Sequence, residues 1–326
     1  MRRRDFIKFI LGSAAAWPLP LRAQQGATVY RIGYLGAATR AEYAREIEAL
    51  LNGLRQLGYE EGKNITIDYR FAEGDYDRLP ALAAELVASK IDVLLTHSTP
   101  GAQAAKQATS TVPIVVMAAA DLVSSGLVPS IARPGGNLTG LTFFFAEICA
   151  KRIELIKEAV PAATRLGVLV NPANPSGPIA LTAMQRTARA LQVDLLTVDV
   201  RVVDDIASGF AMLASRGAQA LTFIEDALLN ANAPYIAQLA TQNRLPMIGE
   251  KPAVEAGALM AYGTNRYDLW FRTAFFVDKI LKGAQPADLP IEQAAKFELI
   301  INLKTAKALG LTIPLPLIAR ADELID

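Results

Sequence analysis

The sequence predicts an α/β protein with two similar doubly wound parallel-sheet lobes joined by a hinge. Three observations support this fold class. Short apolar segments that suit buried strands alternate with amphipathic segments that suit helices. The same alternation begins again in the second half of the chain. Finally, 52% of the 326 residues are hydrophobic and 20% are charged, which provides enough apolar material for two cores.

The first half provides one complete series of strands and helices. Buried strands are predicted where apolar residues cluster in short runs, and helices where apolar residues recur every three or four positions. The expected strands are 30–35, 65–69, 92–96 and 113–117, and the expected helices are 41–57, 77–88 and one that starts at Pro100.

The second half repeats this series with similar spacing. Its expected strands are 165–170, 193–198, 218–223 and one that starts at Pro246, and its expected helices are 179–190, 204–214 and 234–243. Four further elements lie outside the two series: a strand over 138–145, a helix over 267–281, a strand over 297–302 and a helix over 303–309.

Two passages are expected to connect the lobes. The turn-rich segment 133–140 ends the first series, and the apolar segment 258–263 ends the second. Lobe 1 is therefore predicted to hold residues 26–140 and about 264–285, and lobe 2 to hold residues 141–263. The pattern assigns the C-terminal segment 286–326 to neither lobe.

The first 23 residues have the pattern of an export signal. Arginines at 2–4 form a basic head, an apolar stretch follows over 9–21, and Ala23 precedes a polar start. The order Arg-Arg-Asp-Phe-Ile-Lys over 3–8 resembles the twin-arginine signal. A membrane anchor is the alternative, but a span needs about 20 apolar residues, and this stretch is shorter. We therefore expect cleavage near Ala23 and a periplasmic location.

Charge and cysteine content exclude several classes of function. The chain has 33 basic and 32 acidic residues, so its formal net charge is +1. This charge gives no reason to expect binding to nucleic acid or to an anionic membrane. Cys149 is the single cysteine and lies in a predicted helix, so we expect a buried thiol and no intramolecular disulfide. One histidine and one cysteine cannot form a histidine- or cysteine-rich metal site. We expect no metal, no cofactor and a monomeric protein.

Common enzyme signatures are missing from the sequence. There is no GxGxxG after the first strand, no GxxxxGK[ST] and no GxSxG. His97 follows a predicted strand and opens a helix, where an imidazole can serve as a base, contact a ligand or structure the loop. The sequence leaves these alternatives open, and we assign no catalytic residue.

The loops after the strands are the expected ligand site. In open α/β sheets, ligands bind outside the carboxyl ends of the strands. The rule selects six loops, which are 34–38, 97–99, 118–121, 171–176, 224–227 and 249–251. From these loops and the adjoining 138–145 strand we predict ligand contacts at Tyr34, His97, Ser98, Thr99, Asp121, Phe143, Asn171, Glu225 and Asp226.

The predicted contacts combine an anion site, acids and apolar walls. Pro100 suits a first helical turn, with Ser98 or Thr99 as its cap, so free N–H groups there can hold a carboxylate. In the alternative interpretation, these hydroxyls only cap the helix. The three acids can hold an ammonium or hydroxyl group, or can themselves cap helices. Tyr34 and Phe143 would form apolar walls, and Asn171 would contact the ligand from a stiff turn.

Several motifs together resemble a known family. They are Leu-Gly-Tyr-Glu-Glu-Gly-Lys-Asn over 57–64, Asp-Arg-Leu-Pro-Ala-Leu-Ala over 77–83, Arg-Pro-Gly-Gly-Asn-Leu-Thr-Gly over 133–140, Val-Asn-Pro over 170–172, Tyr-Gly-Thr over 262–264 and Phe-Glu-Leu-Ile-Ile-Asn-Leu-Lys-Thr-Ala over 297–306. Through these motifs the chain resembles the solute-binding proteins of bacterial ABC importers, in the branch that includes tryptophan- and tyrosine-binding members. The resemblance covers essentially the whole chain. The resemblance implies a type I periplasmic binding fold.

The resemblance also bears on individual site residues. Such proteins usually carry Gly-Gly-Thr where this chain has His97-Ser98-Thr99, and Gly-Asp-Pro where it has Ala120-Asp121-Leu122. Thr99 and Asp121 therefore carry over as ligand contacts, whereas His97 and Ser98 depart from the family's pattern.

The function that the resemblance implies is solute capture. The two lobes would close over a small organic carboxylate, either an amino acid or an aromatic or aliphatic acid. The protein would then deliver it to an inner-membrane permease driven by an ATPase. Two alternatives remain open from the sequence: an exported sensory subunit that presents a ligand to a receptor, and an exported hydrolase-type enzyme that uses His97.

Overall fold

The two predicted series form two sheets in the folded chain. The computed structural model describes residues 29–120, 122–294 and 296–326. The predicted export signal over 1–23 lies outside these residues, as does Asp121. Within the described part of the chain, no helix is both long and apolar enough to cross a membrane.

The first 142 residues contribute five strands and three helices of the described structure. A 3₁₀ turn over Tyr76–Arg78 leads directly into the second helix. The elements are β1 (Tyr30–Gly36), α1 (Ala44–Gln56), β2 (Ile65–Phe71), α2 (Leu79–Ala88), β3 (Val93–Thr96), α3 (Thr99–Ala108), β4 (Ile114–Ala119) and β5 (Leu138–Thr142).

The remainder of the chain follows the same alternation up to its last helices. Its elements are α4 (Phe145–Ala159), β6 (Arg165–Val170), α5 (Gly177–Ala190), β7 (Asp194–Asp199), α6 (Asp204–Ser215), β8 (Ala220–Phe223), α7 (Ala227–Ala231), α8 (Ala233–Gln242), β9 (Ile248–Gly249), α9 (Lys251–Glu255), β10 (Met260–Thr264), α10 (Arg266–Leu281), β11 (Glu292–Gln293), β12 (Phe297–Asn302), α11 (Leu303–Leu309), α12 (Leu315–Ile318) and β13 (Glu323–Ile325).

Lobe 1 is built on a six-stranded parallel sheet. Its strand order is β11-β5-β4-β3-β1-β2. Helix α10 returns from the far end of the chain and packs against α1. The approach is close, because a Cβ at Gly53 would lie 2.4 Å from the backbone oxygen of Phe271. Leu50, Leu54 and Trp270 are buried in the resulting core.

Lobe 2 contains the other strands. The three-stranded sheet β7-β6-β8 is joined by a bridge between Leu221 and Met247 to the four-stranded sheet β13-β12-β10-β9. All pairings are parallel except β10 with β12. Helices α4 and α5 cover one face of these sheets, where Cys149 is a buried free thiol as predicted.

The chain passes between the lobes three times: after β5, after β10 and between β11 and β12. The predicted boundary at residue 140 falls inside β5, and the chain leaves the first sheet only after Thr142. The C-terminal segment that the pattern did not assign is divided. Strand β11 pairs with β5 in lobe 1, whereas β12 and β13 lie in lobe 2.

The strand predicted over 138–145 is shorter than expected. It ends at Thr142, and Phe145 already begins α4 with its ring buried. A run of apolar residues gives no period that distinguishes a strand end from a helix start. Gly140, which ends one of the family-like motifs, has a positive φ of +131°, and a Cβ there would lie 2.1 Å from the Val116 carbonyl oxygen. The close packing of β4 on β5 therefore requires glycine.

Candidate functional site

A cleft between the lobes lies where the predicted loops meet. The space within it is about 580 Å³, a figure that includes solvent at its mouth. Among the predicted contacts, His97, Ser98, Thr99, Phe143, Glu225 and Asp226 line it. Side chains that were not predicted also line it, namely Tyr43, Tyr76, Asn174, Ser176, Asn230, Glu250, Thr264, Arg266 and Trp270.

His97 is a neutral side chain in the lobe 1 wall. Its Nε2 accepts a hydrogen bond from the Ala37 N–H at 3.2 Å, so the ring proton resides on Nδ1. The ring packs 4.2 Å from Tyr43 and 5.8 Å from Trp270, measured between centroids. Burial, and secondarily the charge of Arg266, lowers the pKa of His97 to about 3. Since Nε2 already accepts a hydrogen bond from the backbone, this geometry favours a structural or ligand-contacting role for His97 over that of a catalytic base.

The start of α3 faces the cleft with two hydroxyls in different roles. Ser98 has φ +65°, and its Oγ accepts from the Gly101 N–H at 3.3 Å, so it caps the helix. Thr99 is buried, and its Oγ1 accepts from Ser176 Oγ at 2.9 Å. Ser176 comes from the loop before α5, so this hydrogen bond joins the two lobes. Thr99 retains its own hydroxyl hydrogen for a ligand.

Asp226 is held by the protein on both carboxylate oxygens. Its Oδ2 accepts from the Tyr76 hydroxyl at 2.6 Å, which is a second hydrogen bond between lobes. Its Oδ1 accepts from Asn171 Nδ2 and from the Leu228 N–H, each at 2.9 Å. Asp226 therefore caps α7 and fastens the lobes together. Asn171 does not line the cavity and instead positions Asp226, so its predicted ligand contact stays a prediction.

Tyr34 also lies away from the cavity. Its side chain is 0% exposed, and its hydroxyl accepts from Trp270 Nε1 at 3.5 Å. Its ring lies 6.4 Å from that of His97, measured between centroids. The prediction placed Tyr34 at the end of a strand, but β1 continues to Gly36. The loop that reaches the cleft therefore starts later, and Tyr34 supports the cleft wall from inside the core.

Buried charges connect the wall of lobe 2 with α10. Arg152 from α4 is 0% exposed, donates through Nε to the Tyr262 carbonyl at 2.8 Å, and donates through Nη2 to Glu225 at 2.5 Å. Burial, and secondarily the nearby carboxyl group of Glu250, raises the pKa of Glu225 to about 8. Glu225 thus has the Arg152 cation and a second carboxyl group in its surroundings.

Arg266 continues this series of charges into lobe 1. Its guanidinium lies 3.3 Å from Glu250 of lobe 2 and 3.3 Å from Glu46 of α1. It also lies over the rings of Tyr43, at 5.1 Å, and Trp270, at 5.5 Å. This arrangement combines a cation, aromatic faces and carboxylates in one cavity, and suits a small ligand with both polar and apolar parts.

The unpredicted lining residues had sequence signals of different strength. Glu250 lies inside the predicted loop 249–251, although it was not among the predicted ligand contacts. Tyr76 belongs to the loop after β2, which the strand-end rule would also have selected. Arg266 and Trp270 lie on α10, after the second lobe crossing. They reach the cleft only because α10 packs back onto α1, and no local pattern shows that.

The described side chains contain no group suited to hold a metal. Among residues 29–120, 122–294 and 296–326, no three His, Cys, Asp or Glu side chains are arranged for coordination. The buried Cys149 thiol is also unsuited to nucleophilic chemistry, because burial raises its pKa to about 12.

Comparison with known proteins gives consistent matches over most of the chain. A family model described as ABC transporter substrate binding protein matches residues 42–325. A tyrosine-binding protein of Clostridioides difficile strain R20291 is 29% identical over 265 residues, which are 81% of this chain and 76% of that protein.

Solved structures share the fold closely. A conserved domain protein from Vibrio cholerae is 30% identical with a TM-score of 0.85, over 91% of this chain and 100% of that one. An ABC domain from Streptococcus pneumonia in complex with L-Trp is 26% identical with a TM-score of 0.84, over the same shares. These neighbours establish the predicted two-lobed type I periplasmic binding fold.

A third structure indicates how the lobes are placed. The ligand-free, open structure of a substrate-binding protein with adhesive properties from Clostridium difficile is 27% identical, over 91% of this chain and 99% of that one. Its TM-score is only 0.65 at nearly the same identity as the L-Trp complex. The direct hydrogen bonds from Thr99 to Ser176 and from Tyr76 to Asp226 fit a closed cleft. By its family match, fold and interlobe cleft, the chain belongs to the ABC transporter substrate-binding proteins, a family that binds small molecules for ABC permeases and is not one of enzymes.

Proposed function

We propose that this protein is the periplasmic solute-binding component of an ABC importer, and that it closes over a small organic carboxylate for delivery to the permease. The ligand class comprises amino acids and aromatic or aliphatic acids. The observation that carries the proposal is the start of α3, which opens into the interlobe cavity with the Thr99 hydroxyl at its first position. The N-terminus of a helix carries partial positive charge, which suits a carboxylate, and the Thr99 hydroxyl can donate a hydrogen bond to it.

The rest of the cavity fits the remainder of such a ligand. Tyr43, Phe143 and Trp270 supply aromatic surface, and Arg266 adds a cation over two of these rings. Relatives support the same class, since one is named a tyrosine-binding protein and another was solved with L-Trp. Asp121, a predicted contact carried over from the family, remains part of this proposal although it lies outside the described residues.

Closure follows from contacts that a ligand would make with both lobes. A ligand shifts an equilibrium between open and closed forms only through a difference in its affinity for them. The α3 start and Tyr43 lie in lobe 1, whereas Glu225 and Glu250 lie in lobe 2. A solute that bridges these groups binds the closed form more tightly, and the permease can then distinguish loaded from empty protein.

Thermal-shift screening with matched ligands tests the proposed class. L-tryptophan, L-tyrosine and aromatic or aliphatic acids are compared with their amides and methyl esters. A bound ligand at 100 times its dissociation constant should stabilise the fold by about 2.7 kcal/mol. We expect stabilisation by the carboxylates that disappears with the neutral derivatives, and that weakens in Thr99→Val. Hits restricted to sugars or polyamines would contradict the proposal.

We further propose that export uses the twin-arginine route, on the evidence of residues 1–23. Replacing Arg3 and Arg4 together with Lys should leave the precursor inside the cell, because that route requires the arginine pair. Cell fractionation and immunoblotting measure the outcome. A normal periplasmic yield of the double variant would exclude this route and leave the general secretory pathway.

A further inference from the structure

The ligand cavity contains a hydrogen-bond donor that the protein leaves unused. It is the Nδ1–H group of His97, because Nε2 of the same ring accepts from the Ala37 N–H at 3.2 Å. Nδ1 bonds to no described residue, yet it is not one of the fully buried side-chain atoms that lack a partner, so the atom remains accessible. His97 is 3% exposed and lines the cavity, so this donor faces the space that a ligand would fill.

The orientation of this donor is fixed by the surrounding rings. The His97 ring packs 4.2 Å from Tyr43 and 5.8 Å from Trp270, measured between centroids. Tyr43 and Trp270 are themselves 6.1 Å apart, with an angle of 21° between their planes. The backbone hydrogen bond to Nε2 keeps the ring proton on Nδ1. His97 therefore presents a donor, and not an acceptor, to a ligand.

An acceptor without a partner lines the same cavity from lobe 2. Asn230 lies on α7, and its Oδ1 is buried without a hydrogen-bond partner within the described chain. Buried polar atoms in native proteins are nearly always paired, so an exception calls for an explanation. A ligand group that accepts from His97 and donates to Asn230 would explain both unused atoms together.

The unused donor and the unused acceptor lie at the same end of the cavity. A neighbouring cavity shares Tyr43, Asn230 and Arg266 with the ligand cavity, so these residues mark the end at which the two adjoin. Tyr43 is the ring on which His97 packs, and the Arg266 guanidinium lies 5.1 Å from the centre of the same ring. Both unused atoms therefore belong to the Tyr43 end of the cavity.

The proposed carboxylate site lies toward a different end. Thr99 accepts from Ser176 at 2.9 Å. A second neighbouring cavity shares Ser176 and Phe143 with the ligand cavity, but neither Tyr43 nor Asn230 lines it. A ligand with its carboxylate at the α3 start would therefore extend its apolar body toward the Tyr43 end. The unused donor and acceptor would meet that body and not the carboxylate.

We propose that His97 and Asn230 are specificity-determining residues, and that together they bind a hydroxyl group on the body of the ligand. The hydroxyl oxygen accepts from His97 Nδ1–H, and the hydroxyl hydrogen is donated to Asn230 Oδ1. A hydroxyl group satisfies both atoms, whereas a ring C–H satisfies neither and an ammonium or ring N–H only donates. This inference rests on the proposed function and narrows its ligand class to carboxylates with a hydroxylated body, such as phenols.

Titration calorimetry of the mature protein with matched ligand pairs tests the assignment. The members of each pair differ only in the phenol oxygen: L-tyrosine against L-phenylalanine, and 3-(4-hydroxyphenyl)propanoate against 3-phenylpropanoate. The analogue without the hydroxyl leaves the donor and the acceptor unpaired, so we expect the hydroxylated member to bind roughly ten- to a hundredfold more tightly. The use of two pairs separates this preference from any contribution of the amino group.

Two variants assign the preference to this part of the cavity. His97→Phe keeps a ring against Tyr43 and Trp270 but removes the donor, so the preference within each pair should fall below about threefold. A general disturbance of the cleft would weaken both members of a pair equally and leave their ratio unchanged. Asn230→Leu should also lower the ratio, and it removes no side-chain hydrogen bond among the described residues.

Asn243→Leu is the matched control. Asn243 lies in the same lobe, is exposed, and donates from its side chain to the Leu239 carbonyl of α8, so its replacement should leave the ratio unchanged. Equal binding within both pairs, or a full preference that survives in His97→Phe, overturns this inference alone. If His97→Phe fails to fold because Ala37 loses its acceptor, a full preference in Asn230→Leu overturns it instead. Failure of all four probes to bind overturns the proposed function together with it.

Discussion

Replacing Arg152 with Ala is expected to lower the free energy of unfolding by about 3–5 kcal/mol, because it leaves a buried carboxyl without its cation. Arg152 is fully buried and holds both Glu225 and the Tyr262 carbonyl. Urea denaturation followed by circular dichroism measures the change. The loss should be greater at alkaline than at acidic pH, since Glu225 is neutral in acid and charged above its raised pKa.

Lys151→Ala provides the control for this variant. Lys151 precedes Arg152 on α4, but its side chain is exposed and pairs with Glu154 on the same helix. Exposed pairs of this kind contribute less than about 1 kcal/mol. Equal destabilisation by the two substitutions would show that Arg152 acts through helix propensity or packing and not through its buried contacts.

Replacing Arg266 with Ala is expected to weaken ligand binding roughly a hundredfold, which corresponds to about 2.7 kcal/mol. Arg266 lies between Glu46 of lobe 1 and Glu250 of lobe 2. Without it, these two carboxylates repel each other across the cleft, and the repulsion is strongest when the lobes close. Calorimetry with L-tryptophan measures the affinity, and small-angle X-ray scattering measures how far the ligand-free protein opens.

Arg45→Ala is the matched control for Arg266→Ala. Arg45 also joins α1 to lobe 2, through Glu255 of α9 at 3.0 Å, but the two side chains are 79% and 38% exposed. We expect Arg45→Ala to reduce the free energy of ligand binding by less than about 1 kcal/mol, because solvent screens this ion pair. A similar loss of affinity from both variants would mean that burial of the Arg266 pair has no special effect.

Much of the fold could be predicted because local signals agreed with tertiary structure. The strand predicted over 297–302 and the helix over 303–309 are found with those bounds. There, Asn302 ends an apolar strand and caps the helix by accepting from the Thr305 N–H. The helix predicted from 267 starts one residue earlier, after its Asn265 cap. In such places, turn chemistry and apolar periodicity specify the same boundary.

The site could be predicted only in part. The strand-end rule selected His97, Thr99 and Glu225, which line the cavity, because parallel strands bring their carboxyl ends together. It could not show that both carboxylate oxygens of Asp226 accept hydrogen bonds from Tyr76 and Asn171, since those partners come from distant segments. The charge pairs of Arg152 and Arg266 likewise join segments that are far apart in sequence, and the sequence gives no local sign of them.

The three passages of the chain between the lobes limit what a docking partner can sense. Two bodies joined by a single link can rotate about several axes, and each further link removes some of that freedom. With links after β5, after β10 and between β11 and β12, opening approaches motion along one coordinate. A permease that recognises only the closed form cannot distinguish between the solutes that close the cleft. Under the proposed function, chemical discrimination must therefore be complete inside the cavity before a permease is contacted.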